Sequence, residues 1–155
     1  MMFKTKAFIL LFALFLSSVN LTEIRNLYSN VSYSKEKQQE FIAYMEKSDT
    51  KKPVFQAYKG ASLVLQSKTT TDRKSKKELF VKGVEFIEDA VRKDSENIEI
   101  RMIRLSVQEN IPKALKYSSN IGEDVIFIRK FIDATKDVEL KLYVQQYIQQ
   151  SKSFK

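Results

Sequence analysis

The side chains best equipped for chemistry lie in one stretch, "NIEIRMIRLSVQEN", residues 97–110, where Arg101, Arg104 and Gln108 fall at i, i+3 and i+7. On a helix that spacing makes a single polar stripe. Two guanidinium groups and an amide so arranged can grip an acidic peptide, a carboxylate or a phosphate. Arg101, Arg104 and Gln108 are therefore the candidate ligand-binding residues. The same stripe also serves a local purpose, with either arginine pairing to Glu85, Glu88, Glu99 or Asp124 while its stem packs on apolar neighbours. Arg104 stands beside Ile100 and Val107, at i−4 and i+3, and is the more structural of the two; Arg101 is the better ligand candidate.

Other chemistry is bounded by what is missing. The chain has no Cys and no His. Thiolate nucleophiles, disulfides, Ser-His-Asp triads and zincin motifs are excluded, and transition metals lose their commonest ligands. A catalyst would have to use carboxylates, lysines or tyrosines. Glu85, Glu88, Asp89 and Glu109 are the acids from which a hydrolase acting on envelope polysaccharide could draw a pair. The first three fit the solvent face of a long helix, and no acid pair is flanked by the aromatics that a sugar platform needs. The expectation is a protein without catalytic residues, metal or cofactor.

Positive charge concentrates in "KTTTDRKSKK", residues 68–77, where Lys68, Arg73, Lys74, Lys76 and Lys77 stand against Asp72 in a chain of formal net charge +8. Such a cluster can meet an anionic surface. It lacks the interleaved aromatics that stack bases, so nucleic acid is not expected. The plainer reading is a solvated loop between helices.

The elements that must position these residues are helices. At 155 residues, with 43% hydrophobic and 30% charged content, the chain suits one domain with a core. Only 3 Gly and 2 Pro leave few turns for a many-stranded fold. "MMFKTK" followed by "AFILLFALFL" reads as the charged and apolar parts of a secretory signal, with cleavage after Ser18. The alternative is an uncleaved inner-membrane anchor. Residues 19–34 form a lead-in with a first helix around 21–29, residues 35–150 one helical domain, and 151–155 a tail.

Within the domain, Ser34 caps a helix over 35–47, and Pro53 opens another. Ala57, Gly60, Ala61 and Val64 at i, i+3, i+4 and i+7 present a small-residue face that lets a neighbouring helix come close. "SKKE" reads as a capping box at Ser75 for a long helix over 76–92. The stretch 96–110 forms a central helix packed on two sides. Pro112 breaks the pattern, "NIGE" opens a helix at Asn120, and Asp137 caps the last one. The fold class is all-α, antiparallel helical hairpins with about six helices.

Gly83, Ile87 and Ala90, followed by "KDSENIEIR", resemble the second helix and turn of a tetratricopeptide repeat, with Asp94 and Asn97 retained and Ser95 where proline is usual. That resemblance implies a tetratricopeptide-like hairpin and, through it, binding of a partner segment in a groove. The stretch "LFVKGVEFIEDAVRKDSENIEIRMIRLSVQENIPKAL" resembles exported helical proteins of flavobacterial type, which implies export and carries over no catalytic residue. The expected function is an exported, non-enzymatic module that binds a protein or peptide in the cell envelope. The alternatives are the carboxylate hydrolase and association with an anionic membrane surface.

Overall fold

Seven α-helices and two single 3-10 turns make up the regular structure of residues 20–155, the part of the chain that the computed structural model describes. The expected leader and its expected cleavage point after Ser18 lie outside the described residues. The helices are α1 (Leu21–Ser29), α2 (Lys35–Glu46), α3 (Pro53–Thr69), α4 (Arg73–Lys93), α5 (Ile98–Glu109), α6 (Ile121–Phe131) and α7 (Val138–Gln150). The 3-10 turns are Lys113–Leu115 and Lys152–Phe154. Among the described residues there is no strand, so the molecule is all-α. No described helix is long and apolar enough to cross a membrane.

Most helix starts follow from a side chain that accepts an otherwise orphaned backbone N–H. Ser34 accepts from Lys37, Asn97 from both Glu99 and Ile100, and Asp137 from Leu140. Two starts differ from the sequence reading. Asp72, not Ser75, caps α4, and its carboxylate accepts the Ser75 N–H at 2.8 Å. A carboxylate is a charged acceptor that also suits the positive end of a helix, so it wins over the hydroxyl three residues later. The link between α3 and α4 shrinks to residues 70–72, and the basic cluster sits on helix ends rather than in a loop. Asn120 precedes α6 without capping it, because its Oδ1 accepts from Gln108 and Ser119 instead.

Consecutive helices double back and pack along the chain order, α1 on α2, α3 on α4 and α5 on α6. The closest pair is α3 with α4. Gly60 and Gly83 face each other across it, and a Cβ on Gly60 would lie 2.6 Å from the Gly83 carbonyl oxygen. α5 is the centre of the bundle: ten of its 12 residues are buried. Tyr58, Phe41, Ile87, Ile128 and Val144 close the core around it.

The described lead-in, residues 20–34, and the tail, residues 151–155, both pack on this domain. Ile24 of α1 is fully buried, and Arg25 reaches into the core. Ser151 is buried, and Phe154 packs edge-on against Tyr147.

Candidate functional site

The polar stripe of α5 faces α6 and α4. Arg104 is 3% exposed, and its Nε and Nη2 each donate to a different oxygen of Asp124 at 2.7 Å. Its Nη1 donates to Glu88 at 3.2 Å, and the other Glu88 oxygen accepts from the Tyr117 hydroxyl at 2.6 Å. Asp124 is fully buried. Arg101 donates to Glu123, to Asp124 at 3.1 Å and to the Ser95 carbonyl at 2.9 Å, while its guanidinium lies 4.8 Å from the centroid of the Phe127 ring. Gln108 donates to Asn120, and its Oε1 is buried with no hydrogen-bond partner. Two cations thus meet the three acids Glu88, Glu123 and Asp124 at one seam.

Of the four acids that could have served the arginines, Glu88 and Asp124 do so. Glu99 is taken elsewhere, since both its oxygens accept from Arg25 at 2.8 Å. Tyr58 donates to Glu99 at 2.7 Å and stands 3.2 Å from the Tyr143 hydroxyl. This second buried ion pair ties α1 to α5 across 74 residues of sequence.

The structure draws the hydrolase candidates into separate surroundings. Glu88 faces Arg104 and Tyr117. Asp89 pairs with Lys93 at 2.6 Å and accepts from Gln56; these contacts, Lys93 first, hold its carboxyl at about 2. Glu109 accepts from Ser151, Ser153 and Tyr147. Glu85 is exposed. Glu88, Asp89 and Glu109 share no partner. Among the described residues no three acids gather where they could hold a metal ion.

Open space lies on the other side of α5. A groove of about 370 Å³ runs between α1, α3, α5 and α7. Tyr28, Lys68 and Ser106 contribute from the first three, and Tyr143, Gln146, Tyr147 and Gln150 from α7. Tyr28 and Ser106 share a hydrogen bond of 2.6 Å beside it. Burial pushes the Tyr28 phenol up to about 12 and raises those of Tyr143 and Tyr147 as well, so all three stay neutral at physiological pH. Arg101, Arg104 and Gln108 are absent from its walls. The groove residues of α7 had a signal in the sequence: Tyr143, Gln146, Tyr147 and Gln150 repeat at i, i+3, i+4 and i+7, an amphipathic stripe hidden among apolar positions.

The groove is braced by Glu109. Burial pushes its carboxyl up, but hydrogen bonds from Ser151, Ser153 and Tyr147 outweigh that and hold it below its ordinary value of 4.5. A carboxylate with a depressed folded pKa stabilises the protein above its unfolded pKa, and that contribution is lost as pH falls through the folded value. Glu109→Gln should therefore lower stability at pH 7 by about 1–2 kcal/mol and lose less than wild type between pH 5 and pH 3. Thermal melts at both ends of that range check this. Parallel acid profiles for the two proteins would rule it out.

A third feature is a cleft of about 690 Å³ where the C-terminal end of α3, the start of α4 and residues 111–115 meet. All five cations of the basic cluster, Lys68, Arg73, Lys74, Lys76 and Lys77, line it.

No family model matches the chain, and neither a curated protein nor a solved structure is similar to it at a significant level.

Proposed function

We propose that the protein is a non-enzymatic, exported interaction module that holds a segment of a partner protein in the groove between α1, α3, α5 and α7. The observation that carries this reading is the character of the groove wall. Neutral phenols and the amide residues Gln38, Asn110, Gln146 and Gln150 stand over apolar ground from Val64, Leu65 and Met102. Such a wall can bury apolar side chains of a bound segment while meeting its backbone N–H and C=O groups. Aromatic side chains also supply large contact area at a small cost in conformational entropy. Lys68 and Lys152 flank the groove, and its acid, Glu109, is already satisfied by three donors. The favoured segment therefore carries acid beside apolar residues. In this reading the helices stack as tetratricopeptide-like hairpins, and the leader delivers the domain to the cell envelope.

Gln146 and Gln150 are exposed and line the groove without a role in the core. Gln146→Glu with Gln150→Glu should change stability by less than about 0.5 kcal/mol. A displayed library of random peptides selected against the wild type should yield sequences combining acidic and apolar residues. Those peptides should bind the double variant at least about tenfold more weakly, since two added carboxylates would repel the acidic groups of the bound segment. Failure to enrich any peptide, or equal binding to the double variant, would exclude the groove as the site.

A further inference from the structure

We propose that the cleft between α3, α4 and residues 111–115 binds a single-chain anionic lipid, with the alkyl chain on its floor and the anionic head among its cations. The floor is built from Val64, Phe80, Ile111, Pro112 and Leu115. The rim carries the five cations, and no acid lines the cleft. Apart from Lys74, which lies 3.9 Å from the exposed Glu78, none of these five makes an ion pair among the described residues. The stretch 110–119, "NIPKALKYSS", which supplies Ile111, Pro112 and Leu115 to the cleft, contains no acid. Four of the cations fall in the first five residues of α4, a turn that holds no acid. Positive charge at that end of a helix opposes its dipole, so these residues do not serve the fold. Their placement suits an anion.

The interior of the cleft decides between a lipid and an acidic peptide. A buried peptide would need partners for its backbone N–H and C=O groups. The one hydroxyl in the wall, Ser67, already donates to the Val64 carbonyl at 2.6 Å. An alkyl chain needs no such partner. Leu115, 45% exposed, forms an apolar lip at which a chain can enter. The volume falls in the range of small-molecule sites, roughly 300–1,000 Å³. The cleft adjoins the groove and shares Val64, Lys68 and Ile111 with it. The other residues that line the cleft are absent from the groove, so the two sites can be tested apart.

The test is equilibrium binding of hexadecanoate, below its micelle concentration, to the purified protein. One site per chain is expected to saturate. Lys76→Gln with Lys77→Gln, and separately Leu115→Asp, should each weaken binding at least about tenfold while leaving the helical circular dichroism unchanged, because all three positions are exposed. Gln146→Glu with Gln150→Glu, read at 0.15 M salt where screening mutes distant charges, should change it by less than about twofold, which keeps this result independent of the peptide groove. Hexadecanol, the chain without its charge, and butanoate, the charge without its chain, should both bind far more weakly. The proposal fails if hexadecanoate does not saturate a site, if hexadecanol binds equally, or if neither variant weakens binding. Binding confined to vesicles of phosphatidylglycerol would replace the lipid site with surface adsorption, and tight binding of an acidic peptide lost in the lysine variant would replace it with a peptide site.

Discussion

Arg104→Met should destabilise the protein by about 3–5 kcal/mol, the cost of leaving a buried charge without its partner. For a domain of this size that corresponds to a fall in Tm of roughly 10 °C or more. The substitution removes a bidentate pair at 2.7 Å and leaves Asp124, fully buried, with Arg101 as its remaining cation at 3.1 Å. It also frees Glu88 from its charged donor. Methionine fills much of the arginine stem's volume, so the loss reports charge rather than a cavity.

Adding Asp124→Leu should recover most of the loss, because two apolar groups can replace a buried pair at little cost. Arg101→Met should cost less, because the bidentate Arg104 pair still satisfies Asp124. An Arg104→Met melt that overlays wild type at pH 7 would show that the pair contributes nothing.

The all-α class was readable because apolar stripes at helical spacing, together with Ser34, Pro53 and Asp137, mark elements locally. α5 was readable as central for the same reason: its apolar positions leave only one polar stripe. The direction that stripe faces was not, since it depends on Asp124, 20 residues further along and itself read only as one acid among four. The Arg25–Glu99 pair was harder still. Glu99 between Ile98 and Ile100 signals a buried acid, but nothing near it names a cation 74 residues away. The basic cluster could be counted in the sequence. Its apolar floor could not, because Ile111 and Leu115 arrive from a separate segment. Local pattern sets the elements, and pairing across the bundle sets what their polar residues do.

The closest packing in the fold gives the other large effect. Gly60→Ala and Gly83→Ala should each destabilise by about 2–3 kcal/mol even though alanine is the better helix former by roughly 1 kcal/mol. A Cβ on Gly60 would lie 2.6 Å from the Gly83 carbonyl oxygen and 2.7 Å from Ile87 Cγ1. A Cβ on Gly83 would lie 2.7 Å from the Gly60 carbonyl oxygen and 2.8 Å from Val64 Cγ2. Two of those four atoms are backbone, which moves only if α3 and α4 separate along their length. Separation would also loosen Ala57, Ala61 and Ile87, all fully buried in the same layer. Gly122 is the control, because a Cβ there meets nothing within 4 Å. Gly122→Ala should stabilise by about 0.5–1 kcal/mol through helix propensity and a less flexible unfolded chain. The Gly60→Ala, Gly83→Ala double variant should cost less than the two singles together, since the second methyl enters a gap that the first has already opened. Urea titrations of the three singles and the double measure all of this. Additive losses at the two crossing positions would mean that each methyl is accommodated locally and the helices do not move apart.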